Sequence, residues 1–310
     1  MKKSNAFFIA ILVFIGCTFS GCKKPIDEPK EATIVATLGA ENSYGPCVEI
    51  IYSDSSKMYF QLLSDSTAEI INYHVFYDED FFTENENNHT QGWIYRGDVV
   101  IPQSFTHNGK NYTVVRIGNY AFGSYFSYYN ASFVTSVVIP NTVTEIGAYA
   151  FCDCESLATV NIPNSVNKTL GYTFTNCKRL TSVTIPPSLT KICLSDFAGC
   201  ENLTEINIPN TIISIEHDAF RLCTSLTSIE IPSSVYFIGG WLFSDCTNLK
   251  TIIIKNTTPL FEDDDTFYPH PISLGDNLDS LENIYVPSSS VEAYKNNYLW
   301  RPYAHLIKGL

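Results

Sequence analysis

Residues 180–202, LTSVTIPPSLTKICLSDFAGCEN, and the stretch that follows, LTEINIPNTIISIEHDAFRLCTS (203–225), superpose as strings without a gap. Each opens on Leu, runs through an alternating apolar pair to Ile-Pro, brings in a second apolar pair and closes on Phe and Cys. The interval of 23 continues in both directions. Ile-Pro recurs at Ile139-Pro140, Ile162-Pro163, Ile185-Pro186, Ile208-Pro209 and Ile231-Pro232. Phe151, Phe174, Phe197, Phe220 and Phe243 keep the same step, as do Leu157, Leu180, Leu203, Leu226 and Leu249, and Cys154, Cys177, Cys200, Cys223 and Cys246. Independent strands of a compact domain would not hold so many apolar columns in one register. Coils stacked on one another, each burying equivalent side chains, would. A solenoid is the expected fold.

Within a coil, Leu-x-x-Val-x-Ile-Pro alternates as a short strand with Val and Ile facing inward, and Pro ends the ladder because it has no N–H to donate. Stacking puts these strands into a parallel sheet. Residues 142–147 bring in the second apolar pair and turn at Gly147, and Ala-Phe-x-x-Cys is expected to close the coil as one helical turn. The pattern resembles the BspA-type leucine-rich repeat, whose coils read LxxVxIPxSVxxIGxxAFxxCxx, over about residues 95 to 290. That resemblance implies a leucine-rich-repeat solenoid and, in function, adhesion or the binding of a host protein. Departures are local: the apolar-Gly pair is displaced by one at Leu170-Gly171, and Cys193 and Glu216 stand where Gly147 and Gly239 stand in their coils.

The regular coils have irregular neighbours. Upstream, Ile101-Pro102 and residues 116–122 repeat the same words around a longer loop with the turn-forming Asn108-Gly109. From Phe122 to Phe151 the interval is 29, and from Leu249 to Leu281 it is 32, the second insertion including Glu262, Asp263, Asp264 and Asp265. Leu281-x-x-Ile284-x-Val286-Pro287 then restores the strand. Residues 288–310 resemble the helical closing segment of the family, and a last coil needs such cover because it would otherwise expose apolar surface. Alternation at 56–62 and 67–71 reads as strands. The expected division is a lipoprotein signal peptide at 1–21, a tether at 22–35, a β-rich N-terminal cap at 36–100, the repeats at 101–287 and a C-terminal cap at 288–310.

Lys2 and Lys3 precede an apolar run from Ala6 to Gly16, too short to span a bilayer, which reads as a signal-peptide core. Ser20-Gly21-Cys22 resembles a lipobox, with Phe19 where Leu is usual, and implies cleavage before Cys22 and acylation of its sulfur. Several acyl chains on one cysteine anchor stably where a single chain does not. Residues 23–31, charged and carrying Pro25 and Pro29, read as a solvated spacer. The chain has a formal charge of −13, and loss of Lys2 and Lys3 makes it −15. Such a charge repels phosphate backbones, so nucleic acid is not an expected partner, and membrane contact is expected through the lipid anchor only.

AFCDCESL (150–157) holds Cys152 and Cys154 beside Asp153 and Glu155, the look of a metal clip. Cys154 lies in the repeated column, however, so a buried, reduced side chain packed against the Phe and Leu columns is the expectation. Neighbouring column cysteines about 4.8 Å apart come within disulfide reach, but parallel side-chain vectors suit that bond poorly. Cys152 and Cys47 have no counterpart in other coils. The six histidines are scattered, no HExxH or nucleophile motif is present, and the 262–265 acidic run lacks the spaced ligands and Gly of a calcium loop. No cofactor, no metal site and no enzymatic activity are expected.

What remains is the surface. Outward positions of the strands include Asn161, Ser182, Thr184, Glu205, Asn207, Ser228 and Glu230, a strip of short polar side chains that can hydrogen-bond a partner at small entropic cost. Tyr125, Phe126, Tyr128 and Tyr129 in the first insertion form a second candidate, since loop aromatics suit protein or sugar contact. The resulting expectation is a monomeric, exported outer-membrane lipoprotein at the cell surface, presenting a repeat face to a protein such as a host matrix protein. Its rivals are a glycan-binding lipoprotein of a polysaccharide uptake system and a structural spacer. Mass spectrometry of the native N-terminus should find an acylated Cys22; an unmodified mature end elsewhere would remove the tether.

Overall fold

The structure, a computed structural model, describes residues 32–38, 47–52, 57–71, 95–123, 133–260 and 274–310. Cys22, the aromatic group at 125–129 and the acidic run at 262–265 lie outside the described residues.

The chain opens with an antiparallel meander, β1 (Ala32–Leu38), β2 (Cys47–Tyr52), β3 (Lys57–Leu62) and β4 (Thr67–Ile71). Next come β5 (Arg96–Val100) and a hairpin of β6 (Ser104–His107) and β7 (Lys110–Ile117) turned at Asn108-Gly109. The coils then contribute strands in pairs: β8 (Phe133–Val138) with β9 (Glu145–Ile146), β10 (Thr159–Asn161) with β11 (Lys168–Thr169), and β12 (Ser182–Thr184) with β13 (Lys191–Ile192). They continue as β14 (Glu205–Asn207) with β15 (Ser214–Ile215) and β16 (Ser228–Ile231) with β17 (Phe237–Ile238). β18 (Thr251–Ile254), β19 (Asn283–Val286), helix α1 (Val291–Asn296) and β20 (Ile307–Gly309) complete the order.

Pairing follows the repeat. Ser136 to Val138 lie beside Thr159 to Asn161, and Ser182 to Thr184 beside Glu205 to Asn207, all parallel and offset by 23. The second strand of each coil stacks likewise, β9 on β11 and β13 on β15 and β17. β4 joins the second stack by pairing parallel with β7, which continues into β9. At the other end β20 pairs with β19, so the C-terminal segment is helical but also adds a strand, which no repeat word announced.

The third side of the coil differs from the expected helical turn. Ala-Phe-x-x-Cys closes by tight turns, with Cys152 N–H donating to the Tyr149 carbonyl and Cys154 N–H to that of Phe151, both at 3.1 Å. Tyr149 (φ 57°), Tyr172, Ser195, Asp218 and Trp241 form one left-handed column, and Asp153 (φ 59°), Asn176, Gly199, Leu222 and Asp245 a second. Two left-handed residues per coil prevent a helix. They aim the intervening amides along the axis instead, so that Phe151 N–H donates to the Thr173 carbonyl at 2.9 Å and Asp153 N–H to that of Thr175 at 2.8 Å. Gly147 and Gly239 touch the preceding coil: a Cβ at Gly239 would lie 2.3 Å from the His217 nitrogen.

Between the three sides, the Leu, Phe and Cys columns are almost completely buried. Rings of Phe122, Phe151, Phe174, Phe197, Phe220 and Phe243 stack face to face, with centroids 5.1 to 6.0 Å apart. Each buried side chain of this size contributes roughly 1.5–3 kcal/mol. The cysteines do more than fill space. Cys177 Sγ donates to the Phe151 carbonyl at 3.2 Å, and Cys200, Cys223 and Cys246 repeat the bond to Phe174, Phe197 and Phe220 at 3.3, 3.3 and 3.0 Å. Burial pushes the Cys246 thiol up to about 12 and raises Cys177, Cys200 and Cys223 in the same sense.

Cys200→Ser should cost about 1 kcal/mol in a denaturant melt, because a hydroxyl there meets the Phe174 acceptor and is not left unsatisfied, against about 2–5 for Leu203→Ala. Thiol reagents near pH 8 should leave Cys177, Cys200, Cys223 and Cys246 untouched in the folded chain and label all four once it is unfolded without reductant.

Candidate recognition face

Because Val and Ile of each strand point into the core, the alternate positions must face solvent. Two outward columns result. One reads Asp98, Ser136, Thr159, Ser182, Glu205, Ser228, Thr251 and Asn283, the other Val100, Val138, Asn161, Thr184, Asn207, Glu230, Ile253 and Tyr285, with Lys308 beside Tyr285. Asn161, Ser182, Thr184, Glu205, Asn207, Ser228 and Glu230 are all exposed, on consecutive coils. Short side chains at this spacing leave hydroxyls and amides within reach of a partner, and the packed coils beneath position them so that little backbone ordering is needed on binding.

The strip is chemically graded. At its start, Asp98 accepts hydrogen bonds from Thr135 Oγ1 at 2.8 Å and Ser136 Oγ at 2.6 Å, while Val100 and Val138 are 47% and 38% exposed. Nearby, the Arg96 guanidinium lies 4.8 Å from the centre of the Phe133 ring. The middle is hydroxyl, amide and carboxylate. At its far end Glu230 pairs with Lys255 at 3.4 Å, Lys308 donates to Asn283 Oδ1, and Ile253 and Tyr285 are half-buried. Sequence spacing reaches Asn283 and Tyr285 through Leu281-x-x-Ile284, but Lys308 joins only because β20 folds back onto β19.

The C-x-C stretch is dispersed by the fold. Cys154 Sγ donates to the Phe122 carbonyl at 3.4 Å, Cys152 Sγ lies 3.6 Å from its neighbour Asp153, Asp153 accepts from Asn176 Nδ2 at 2.8 Å, and Glu155 pairs with Lys178 at 2.7 Å. Burial raises the Cys152 thiol, with the Asp153 charge adding to it. Of the histidines, His107 is buried with Asn108 Nδ2 at 2.9 Å, and His217 Nδ1 accepts from Gly240 N–H at 2.9 Å. Among the described residues no three His, Cys, Asp or Glu side chains gather as metal ligands, and no helix is long and apolar enough to cross a membrane.

A second ordered surface escaped sequence reading. Tyr120, Tyr149 and Tyr172, all left-handed, stack with ring centres 4.8 and 4.5 Å apart and planes within 10°. Desolvation pushes the Tyr149 phenol up to about 12, with Tyr172 and Tyr120 beside it acting in the same direction. The interval of 23 between Tyr149 and Tyr172 was visible, but an aromatic at left-handed φ is uncommon enough that spacing alone does not suggest it.

The model of the BspA type leucine-rich repeat region matches six copies over residues 116–250 and 169–298. Among solved structures, a leucine-rich repeat protein of T. pallidum is similar at 22% identity over 81% of this chain and 94% of that one, with a TM-score of 0.52. A leucine-rich cell surface protein of Faecalibacterium prausnitzii shares 27% identity over 77% of this chain and 71% of its own, with a TM-score of 0.48. No curated protein matches the chain. The T. pallidum likeness bears on the fold alone, but the repeat model spans more than half the residues and follows the same columns of Leu, Ile-Pro, Phe and Cys that stack here: the chain belongs to the BspA-type leucine-rich repeat family.

Proposed function

We propose that this is a non-enzymatic recognition protein of the cell envelope, which binds another macromolecule, a protein, through the outward face of its first strand stack. The observation that carries the reading is the strip itself: exposed hydroxyl, amide and carboxylate side chains at two outward positions of each strand from Thr159 to Glu230, at equivalent positions of successive coils, with Ser182 and Thr184 in parallel register beside Glu205 and Asn207. Between Asn161 and Glu230 it contains no aromatic side chain, which favours a protein partner over a sugar. Family membership supports adhesion as the context, and the signal segment with Cys22 supports export and a lipid anchor at the outer membrane, with the repeats facing outward as a monomer. Binding through the 125–129 aromatics is the competing outcome, and it would point to a glycan ligand.

Glu205 and Glu230 occupy neighbouring coils, and Lys255 partly neutralises the second. Changing both to Lys reverses the charge at the middle of the strip, where contacts are best shielded from water. The expected result is loss of protein capture, on the order of tenfold or more in Kd, with a melting temperature nearly unchanged because both side chains point away from the core. The assay pairs a pull-down from matrix proteins with a glycan array, using the double reversal and a Tyr125, Phe126, Tyr128, Tyr129→Ala set. Glycan binding lost only in the aromatic set would transfer the site to the insertion.

A further inference from the structure

The first strand stack is interrupted twice, between β10 and β12 and between β14 and β16; at the second of these β15 still pairs with β17, so among the described coils it is at the first that both stacks stop together. β10 pairs with β8 and β12 with β14, but β10 and β12 share no ladder; β11 pairs with β9 and β13 with β15, but β11 and β13 share none. At the junctions on either side, both stacks are continuous. Only the turn side bonds across the gap without interruption. There Tyr172, Phe174 and Asn176 N–H donate to the carbonyls of Leu194, Asp196 and Ala198 at 2.7, 2.8 and 2.7 Å.

The same junction holds three polar exceptions to the apolar columns of the core. Thr169 takes the column held by Ile146, Ile192, Ile215 and Ile238, and Thr173 and Asp196 take the one held by Ala150 and Ala219. All three are buried. Asp196 is the shared acceptor: its Oδ1 accepts from Thr173 N–H at 3.1 Å and its Oδ2 from Thr169 Oγ1 at 3.2 Å, both across the gap, and Oδ2 also accepts from Cys193 N–H of its own coil at 2.8 Å. Cys193 Sγ in turn donates to the Thr169 carbonyl at 3.3 Å, so side chains substitute for part of the missing ladder. The displaced Leu170-Gly171 pair, with Gly171 at φ 92°, lies at the same junction.

We infer that the solenoid is two stacks hinged at this junction, with the turn side as the axis and the Thr169–Asp196–Cys193 cluster as the latch on the strand side. A packed repeat with full ladders on three sides resists bending everywhere. With ladders missing on two sides of one junction, bending concentrates there, and local opening has a low free energy relative to the rest of the stack. Asn161 lies on one side of the hinge and Ser182 and Thr184 on the other, so opening changes the curvature of the outward strip between them. The inference does not depend on the strip's having a partner.

Hydrogen–deuterium exchange of the full chain tests it without ligand. Amides of 189–193 should exchange on the order of tenfold faster than those of 212–216, while Phe174 and Asn176 stay as slow as Phe151 and Asp153. Equal rates at the two strand segments, or equally fast exchange on the turn side, would overturn the hinge. Asp196→Ala installs the side chain its column carries at Ala150 and Ala219 but leaves two amides without their acceptor, so exchange at 189–193 should rise further with Phe174 unchanged. Thr169→Val, which keeps volume and removes one donor, should act in the same direction even if Asp196→Ala does not fold. No change at 189–193 in a folded variant would refute the latch.

Discussion

Every coil must leave its backbone N–H and C=O groups where the next coil can take them. In a stack with strands on two sides and turns on the third, that requirement sets the spacing of each corner, and with it the repeat length. Pro after Ile closes the first strand by withholding a donor, and the two left-handed residues keep the Phe segment from curling into a helix, whose amides would bond within their own coil. Once the backbone is committed to inter-coil bonds, inward side chains can only repeat, and the Phe rings stack because their coils do.

The cysteine column shows how closely that logic is followed. A thiol fits the volume between the Leu and Phe columns, and its S–H reaches the Phe carbonyl of the coil before, an oxygen that also accepts the Cys N–H three residues on in its own coil. Thiol chemistry is suppressed by the same burial that makes the packing work. Three of the polar side chains that enter the core enter together. Thr169 and Asp196 lie in adjacent coils and bond each other, and the Thr173 amide bonds the same carboxylate, so that the penalty for burying Asp196 is offset within the cluster.

With the interior given over to repetition, individuality is confined to the outward positions, and there the coils differ. Val100 and Val138, then hydroxyls and amides, then Glu205 and Glu230, then Ile253, Tyr285 and Lys308 follow one another along the outward side of the first strand stack. The two ends of the stack are closed by different means: an antiparallel meander continuous with the second stack, and a helix followed by a strand that extends the first. Neither closure interrupts the outward face, which runs from β5 to β20.

The columns of Leu, Ile-Pro, Phe and Cys were legible in the residues alone, because a strict interval of 23 admits one arrangement in which all of them are buried. The inward and outward alternation of Val183 between Ser182 and Thr184 was equally legible, since a strand has only two faces. The turn at Tyr149 and Asp153 was not, because Ala-Phe-x-x-Cys has the same apolar spacing in a helical turn as in paired tight turns, and the choice rests on where the neighbouring coil places its carbonyls. Nor was the partnership of Thr169 with Asp196, 27 residues apart, or of Lys308 with Asn283, because these meet only when coils lie on one another. A displaced glycine reads in the sequence as a local irregularity; that both strand stacks are interrupted together at the junction beside it belongs to a backbone register shared between coils, which exists only in the folded stack.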